Sequence, residues 1–136
     1  MLRSIAAVSL TLCICINCEA ETTYNYVSGK KFATTVTEGA VAKAPAWKAD
    51  AEDPPLSARK ALASAKVALR RLLPAMKEGE FTLSSLSLTP LHGTGWYWAV
   101  TFQGQSLTGF PPTLRIVVLM DGAVVEPVVT EDSRKK

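Results

Sequence analysis

Cysteine and histidine are scarce in this chain. Its three cysteines, Cys13, Cys15 and Cys18, all fall at the N-terminus, and His92 is the one histidine. A chain cut after Ala20 keeps no thiol, which removes disulfide staples, thiolate metal sites and cysteine nucleophiles together. One imidazole does not make a metal centre of ordinary type, which needs two or three further nitrogen or sulfur ligands. The acidic cluster Asp50, Glu52, Asp53 lacks the alternating oxygen ligands and closing Glu of a calcium loop. The reading is no metal, no cofactor and no catalytic residue.

Other absences lead the same way. No glycine-rich loop precedes a helix, so nothing cradles a phosphate. His92-Gly93-Thr94-Gly95 is similar to an oxyanion-loop sequence, but Gly104-Gln105-Ser106-Leu107-Thr108-Gly109 carries one residue too many for the nucleophile elbow it would serve. Glu78 and Glu80 flank Gly79 after a helix, without the apolar surroundings that tune a catalytic carboxyl. The charge balance is mild, with 15 basic and 12 acidic residues for a net +3. A nucleic-acid partner calls for a stronger basic bias. The enzyme alternative is a small envelope hydrolase built from Ser, Thr, Tyr and carboxylates. His92, Glu78 and Glu80 are its nameable residues.

What is present begins with a leader. Arg3 supplies the positive start, Ile5 to Ile16 is apolar apart from Ser9 and Thr11, and small residues precede a cut after Ala20. This is the pattern of a secretory signal peptide over residues 1–20, with an uncleaved anchor as the alternative. No later apolar run reaches the about 20 residues that a spanning helix needs. The expectation is a secreted or periplasmic protein with no transmembrane segment after cleavage.

Residues 21–53 form an N-terminal arm and connector. Thr22 to Val27 and Phe32 to Thr37 read as a β-hairpin turning at Gly29, with a mobile polar arm as the alternative. Ala40 to Pro55 is a proline-broken connector in which Trp47 either pins the loop to the core or serves as a binding anchor. Leu56 to Leu73 is an amphipathic helix. Ser57 caps it, Ala58, Ala61, Leu62, Ala65, Leu69, Leu72 and Leu73 make one apolar face, and Pro74 stops it. Arg59, Lys60, Lys66, Arg70 and Arg71 occupy the remaining surface, a solvated face or a docking site for an acidic partner.

Four strands follow: Phe81–Leu88 with a bulge at Ser84-Ser85, Gly95–Gln103, Thr113–Met120 and Ala123–Val129. In the second, Trp96, Trp98, Val100 and Phe102 face the helix, and Tyr97, Ala99, Thr101 and Gln103 face solvent or are covered by the N-terminal arm. Asp121-Gly122 predicts a type I′ turn. The fold class is therefore α+β: one amphipathic helix on a four-stranded antiparallel meander over residues 54–130, preceded by the hairpin and followed by a disordered tail at 131–136.

Leu56-Ser57-Ala58-Arg59-Lys60-Ala61-Leu62-Ala63-Ser64-Ala65, the strand Trp96 to Phe102 and the turn Leu119 to Val125 resemble a PepSY-type domain across Pro54 to Val129. Cystatin-like folds share the helix-plus-meander plan. Asp121 and Gly122 are adjacent, where the PepSY pattern is Asp-x-x-x-Gly, and the N-terminal arm has no counterpart. The resemblance implies a non-catalytic module that binds or inhibits peptidases or regulates envelope proteins, with no catalytic residues to transfer. The partner expected is a protein or peptide in the cell envelope. The candidate contact residues are Trp47, Tyr97 and Phe110 as an aromatic patch, and Arg59, Lys66 and Arg70 on the helix. A third reading holds the chain to the envelope as a structural protein through that basic helix.

Overall fold

The computed structural model describes residues 20–134 apart from 49, 52, 94 and 108, so the leader lies outside the described residues. The α+β class holds, but the sheet is divided. Strands β1 (Ala20–Val27), β2 (Lys30–Thr37) and β6 (Val128–Glu131) form one antiparallel sheet in the order β1-β2-β6. Strands β3 (Phe81–Leu91), β4 (Gly95–Gly104) and β5 (Thr113–Val118) form the other, in the order β3-β4-β5. Two helices accompany them, α1 (Glu38–Lys43) and α2 (Ala58–Leu72).

The hairpin forms as the alternation of residues 22–37 predicts. Ser28 and Gly29 both take positive φ, the requirement of a type I′ turn. β2 turns Phe32, Thr34 and Val36 into the core. Their cross-strand neighbours on β1 are Asn25, Thr23 and Glu21, so the inward face of β1 is polar. Tyr24 points outward, and Tyr26 is covered by the Arg134 guanidinium lying over its ring.

The helix and central strand are also as read. The Ser57 hydroxyl accepts from the Lys60 amide at 3.3 Å, and Ala61, Ala65, Ala68 and Leu69 are buried. Small alanines let α2 lie close over β4 and β5. Trp98 faces the helix and donates from Nε1 to the Leu56 carbonyl at 2.9 Å. Tyr97 and Ala99 face the other way and are buried under the hairpin sheet. The Ser84 bulge is present: Leu83 stands opposite Phe102 and Ser85 opposite Thr101, leaving Ser84 unpaired.

Three expectations need correction. The four-stranded meander fails because only Val124 bridges to Val118. Pro127 lacks the amide that would extend that pairing, and the chain crosses to β2 as β6. That crossing also makes Glu131, the first residue of the expected tail, a strand residue. The single-helix expectation fails because Thr37 caps a short helix at residues 38–43, its hydroxyl accepting from the Ala40 amide. The type I′ turn at Asp121-Gly122 fails because Asp121 keeps a negative φ and only Gly122 is left-handed. Gly122 donates to the Leu119 carbonyl at 2.9 Å and Leu119 to that of Ala123 at 2.8 Å, the pattern of a type I turn with a glycine bulge.

Candidate functional site

α2 is centred on β4 and β5, so the helix-side face of β3 is only partly covered. This follows from where the alanines are: the close-packing side of the helix meets the valines and isoleucine of the inner strands. The flank of α2 and the helix-side face of β3 then bound a groove of about 630 Å³. Leu62, Lys66, Leu69 and Arg70 line it from the helix, Phe81 and Leu83 from the strand, and Phe102 from the floor.

Cross-strand pairing fixes what else shares this face. Leu83, Leu86 and Leu88 stand opposite Phe102, Val100 and Trp98, so all six lie on the helix side. Leu83 is 43% exposed and Leu86 and Leu88 are half-buried, which makes β3 an apolar ledge. The reverse face of β3 carries Thr82, Ser85, Ser87 and Thr89. β3 is also an edge strand. Its sequence holds no charge, and its one proline, Pro90, sits near the end. Natural edges are usually blunted by charge, proline or bulge. Here the Ser84 bulge interrupts the start, and the run from Ser85 onward stays in regular register.

The basic residues sort themselves around α2. Arg59, Lys66 and Arg70 recur at i, i+7 and i+11, one stripe on a helix of 3.6 residues per turn. Lys66 and Arg70 stand on the groove. Arg71 lies on the other flank, where both its terminal nitrogens meet the Glu126 carboxylate at 2.6 and 2.8 Å. Among the described residues the stripe has no such acidic partner; Glu78, exposed across the groove, is the nearest acid to it that lines the site.

The aromatic candidates are not brought together. Trp47 packs edge-on against Trp96 with ring centroids 5.1 Å apart, pinning the connector at the start of β4. Phe110 is fully exposed on the loop after β4, beside an equally exposed Leu107 that sequence reading passed over. The eight steps along the strand from Trp96 to Gly104 separate those ends by about 26 Å. Tyr97, at 0% exposure, does not reach the surface, because the hairpin sheet covers its face of β4.

Tyr97 instead joins a polar seam between the sheets. Its hydroxyl donates to Glu21 Oε2 at 3.0 Å and accepts from the Arg115 guanidinium at 3.2 Å, and the Arg115 amide donates to Asn25 Oδ1 at 3.1 Å. Burial, with the Glu21 bond behind it, raises the Tyr97 pKa against the opposing pull of Arg115. The phenol is a fixed donor at neutral pH. His92 is exposed in the β3–β4 turn, and Glu80 accepts from the Lys77 amide at 2.8 Å.

No family model, curated protein or solved structure matches the chain. Among the described residues no three His, Asp or Glu side chains gather as a metal would need, and no helix is long and apolar enough to cross a membrane. In the groove beside β3, the sequence candidates Lys66 and Arg70 meet an open apolar surface.

Proposed function

We propose that this chain is an exported, non-catalytic binding module that takes a protein or peptide partner along the open edge of β3, beside α2. The observation that carries the reading is the exposed Leu83, with half-buried Leu86 and Leu88 on the same face of an edge strand without charge, beside a groove of about 630 Å³. An extended segment can add to such an edge through main-chain hydrogen bonds while alternate side chains fill the adjacent hollow.

The test is selection of displayed random peptides on the full chain, followed by binding to a Leu83→Lys/Leu86→Lys variant. Both leucines retain solvent contact, so the variant should fold. Selected peptides should lose at least tenfold in affinity on the variant and should slow amide exchange in β3. Peptides that bind the variant equally well, or a selection that enriches nothing, would remove the groove as the binding site.

A further inference from the structure

We infer that the preferred occupant of this groove is an acidic extended segment, with two carboxylates on alternate residues facing Lys66 and Arg70. The inference rests on the proposed β3 groove and adds the chemistry of its ligand.

The first ground is charge. α2 ends in a basic surface, yet its two flanks differ. On one, Arg71 is held by a forked pair of bonds to Glu126. On the other, Arg59, Lys66 and Arg70 form a stripe for which no ion pair occurs among the described residues. Glu78 also lines the groove, so two cations face one resident acid there. Lys66 and Arg70 are exposed and line the groove together with Leu62 and Leu69.

The second ground is spacing. Lys66 and Arg70 are one helical turn apart, a rise of about 6 Å. Residues i and i+2 of a strand repeat on one face every 6.6 to 6.8 Å, to within about 1 Å of that rise. A strand laid on β3 sits about 4.8 Å outside it and turns every second side chain toward the helix. Two acids in an acid-x-acid pattern therefore match the spacing of the two cations. Acids on adjacent residues point to opposite faces, and only one of them reaches the helix. The polar reverse face of β3, Thr82, Ser85, Ser87 and Thr89, asks nothing specific of the residue between.

The experiment uses the full chain and capped peptides of about eight residues on a Val/Thr background. One peptide carries Asp-x-Asp, one Asn-x-Asn, and one the two Asp residues side by side. The first should bind about three- to tenfold more tightly than Asn-x-Asn, the range expected of two exposed ion pairs, and about two- to threefold more tightly than the side-by-side peptide, which keeps one pair. The advantage should shrink on raising salt from about 0.05 to 0.5 M, and should vanish on Lys66→Gln/Arg70→Gln. Arg71→Gln, which alters the paired flank, should leave it intact.

Binding of all three peptides with equal affinity, blocked by Leu83→Lys/Leu86→Lys, would overturn the acidic preference and leave the groove standing. Failure of every peptide would overturn both. So would retention on anionic phosphatidylglycerol vesicles that needs Lys66 and Arg70 but gives β3 no protection from exchange, which assigns the stripe to a lipid surface. A concentration-dependent dimer protected at β3 would assign the edge to a second copy of the chain.

Discussion

Tyr97 ties the two sheets together through its hydroxyl. Its ring is shut between β4 and the hairpin sheet, and its hydroxyl is held by Glu21 and Arg115. Tyr97→Phe keeps the ring and deletes both bonds. The expected cost is about 1–3 kcal/mol in urea unfolding, because two partly buried polar partners lose their bond. The pH dependence has a definite sign. A phenol whose folded pKa is raised keeps its full contribution below the ordinary value near pH 10 and loses it as pH climbs through the folded value. The urea midpoint should therefore fall above pH 10 in the native chain, and the fall should be shallower in Tyr97→Phe. Equal slopes in the two proteins would show that Tyr97 ionises alike in the folded and unfolded chains.

Among the elements, α1 makes the sharpest contact. A Cβ added at Gly95 would overlap the Val41 side chain, so the helix is seated where the first residue of β4 has no side chain. Gly95→Ala should cost about 1–3 kcal/mol through overpacking. In Gly95→Ala/Val41→Ala the loss should be smaller than the sum of the single losses, measured by chemical denaturation as a double-mutant cycle. Strict additivity would mean that α1 has moved off the strand.

Sequence pattern reaches some of these elements and misses others for physical reasons. α2, β4 and the Ser84 bulge each announce themselves within a few residues, by a 3.6 period, a period of two and a switch of parity. α1 is six residues long and has too few turns to show a period. The partner of β6 is set by contacts far along the chain, and Val124, Val125, Val128 and Val129 read equally well as one strand or two. The site divides in the same way. The cationic stripe is written into the spacing of Arg59, Lys66 and Arg70, whereas the groove exists only because α2 settles over β4 and β5 and leaves β3 only partly covered. Tyr97 looked available because aromatic alternation does not say which layer covers a strand.

At the scale of the whole molecule, one apolar cluster joins Val27, Phe32 and Val36 of the hairpin to Trp98, Val100 and Ile116 of the central sheet and Ala65 of α2. The hairpin is thus a layer of the domain. Amides of Phe32 and Thr34 should exchange with solvent at the same free energy as those of Val100 and Phe102, in a single cooperative opening. Markedly faster exchange in β2 would mean that the hairpin opens as an independent unit.

The pairing of Lys30–Ala33 with Val128–Glu131 also sets an order of events. These partners lie about a hundred residues apart, so closing them is among the entropically costliest contacts in the chain. A chain leaving a ribosome or passing through a translocation pore in the N-to-C direction presents its first hairpin early, yet the third strand of that sheet arrives almost last. Until Glu131 emerges, the outer edge of β2 is bare. The nascent protein therefore passes through a stage in which the edge of β2 is open as well as that of β3, and of these two only β2 is later covered by its own chain.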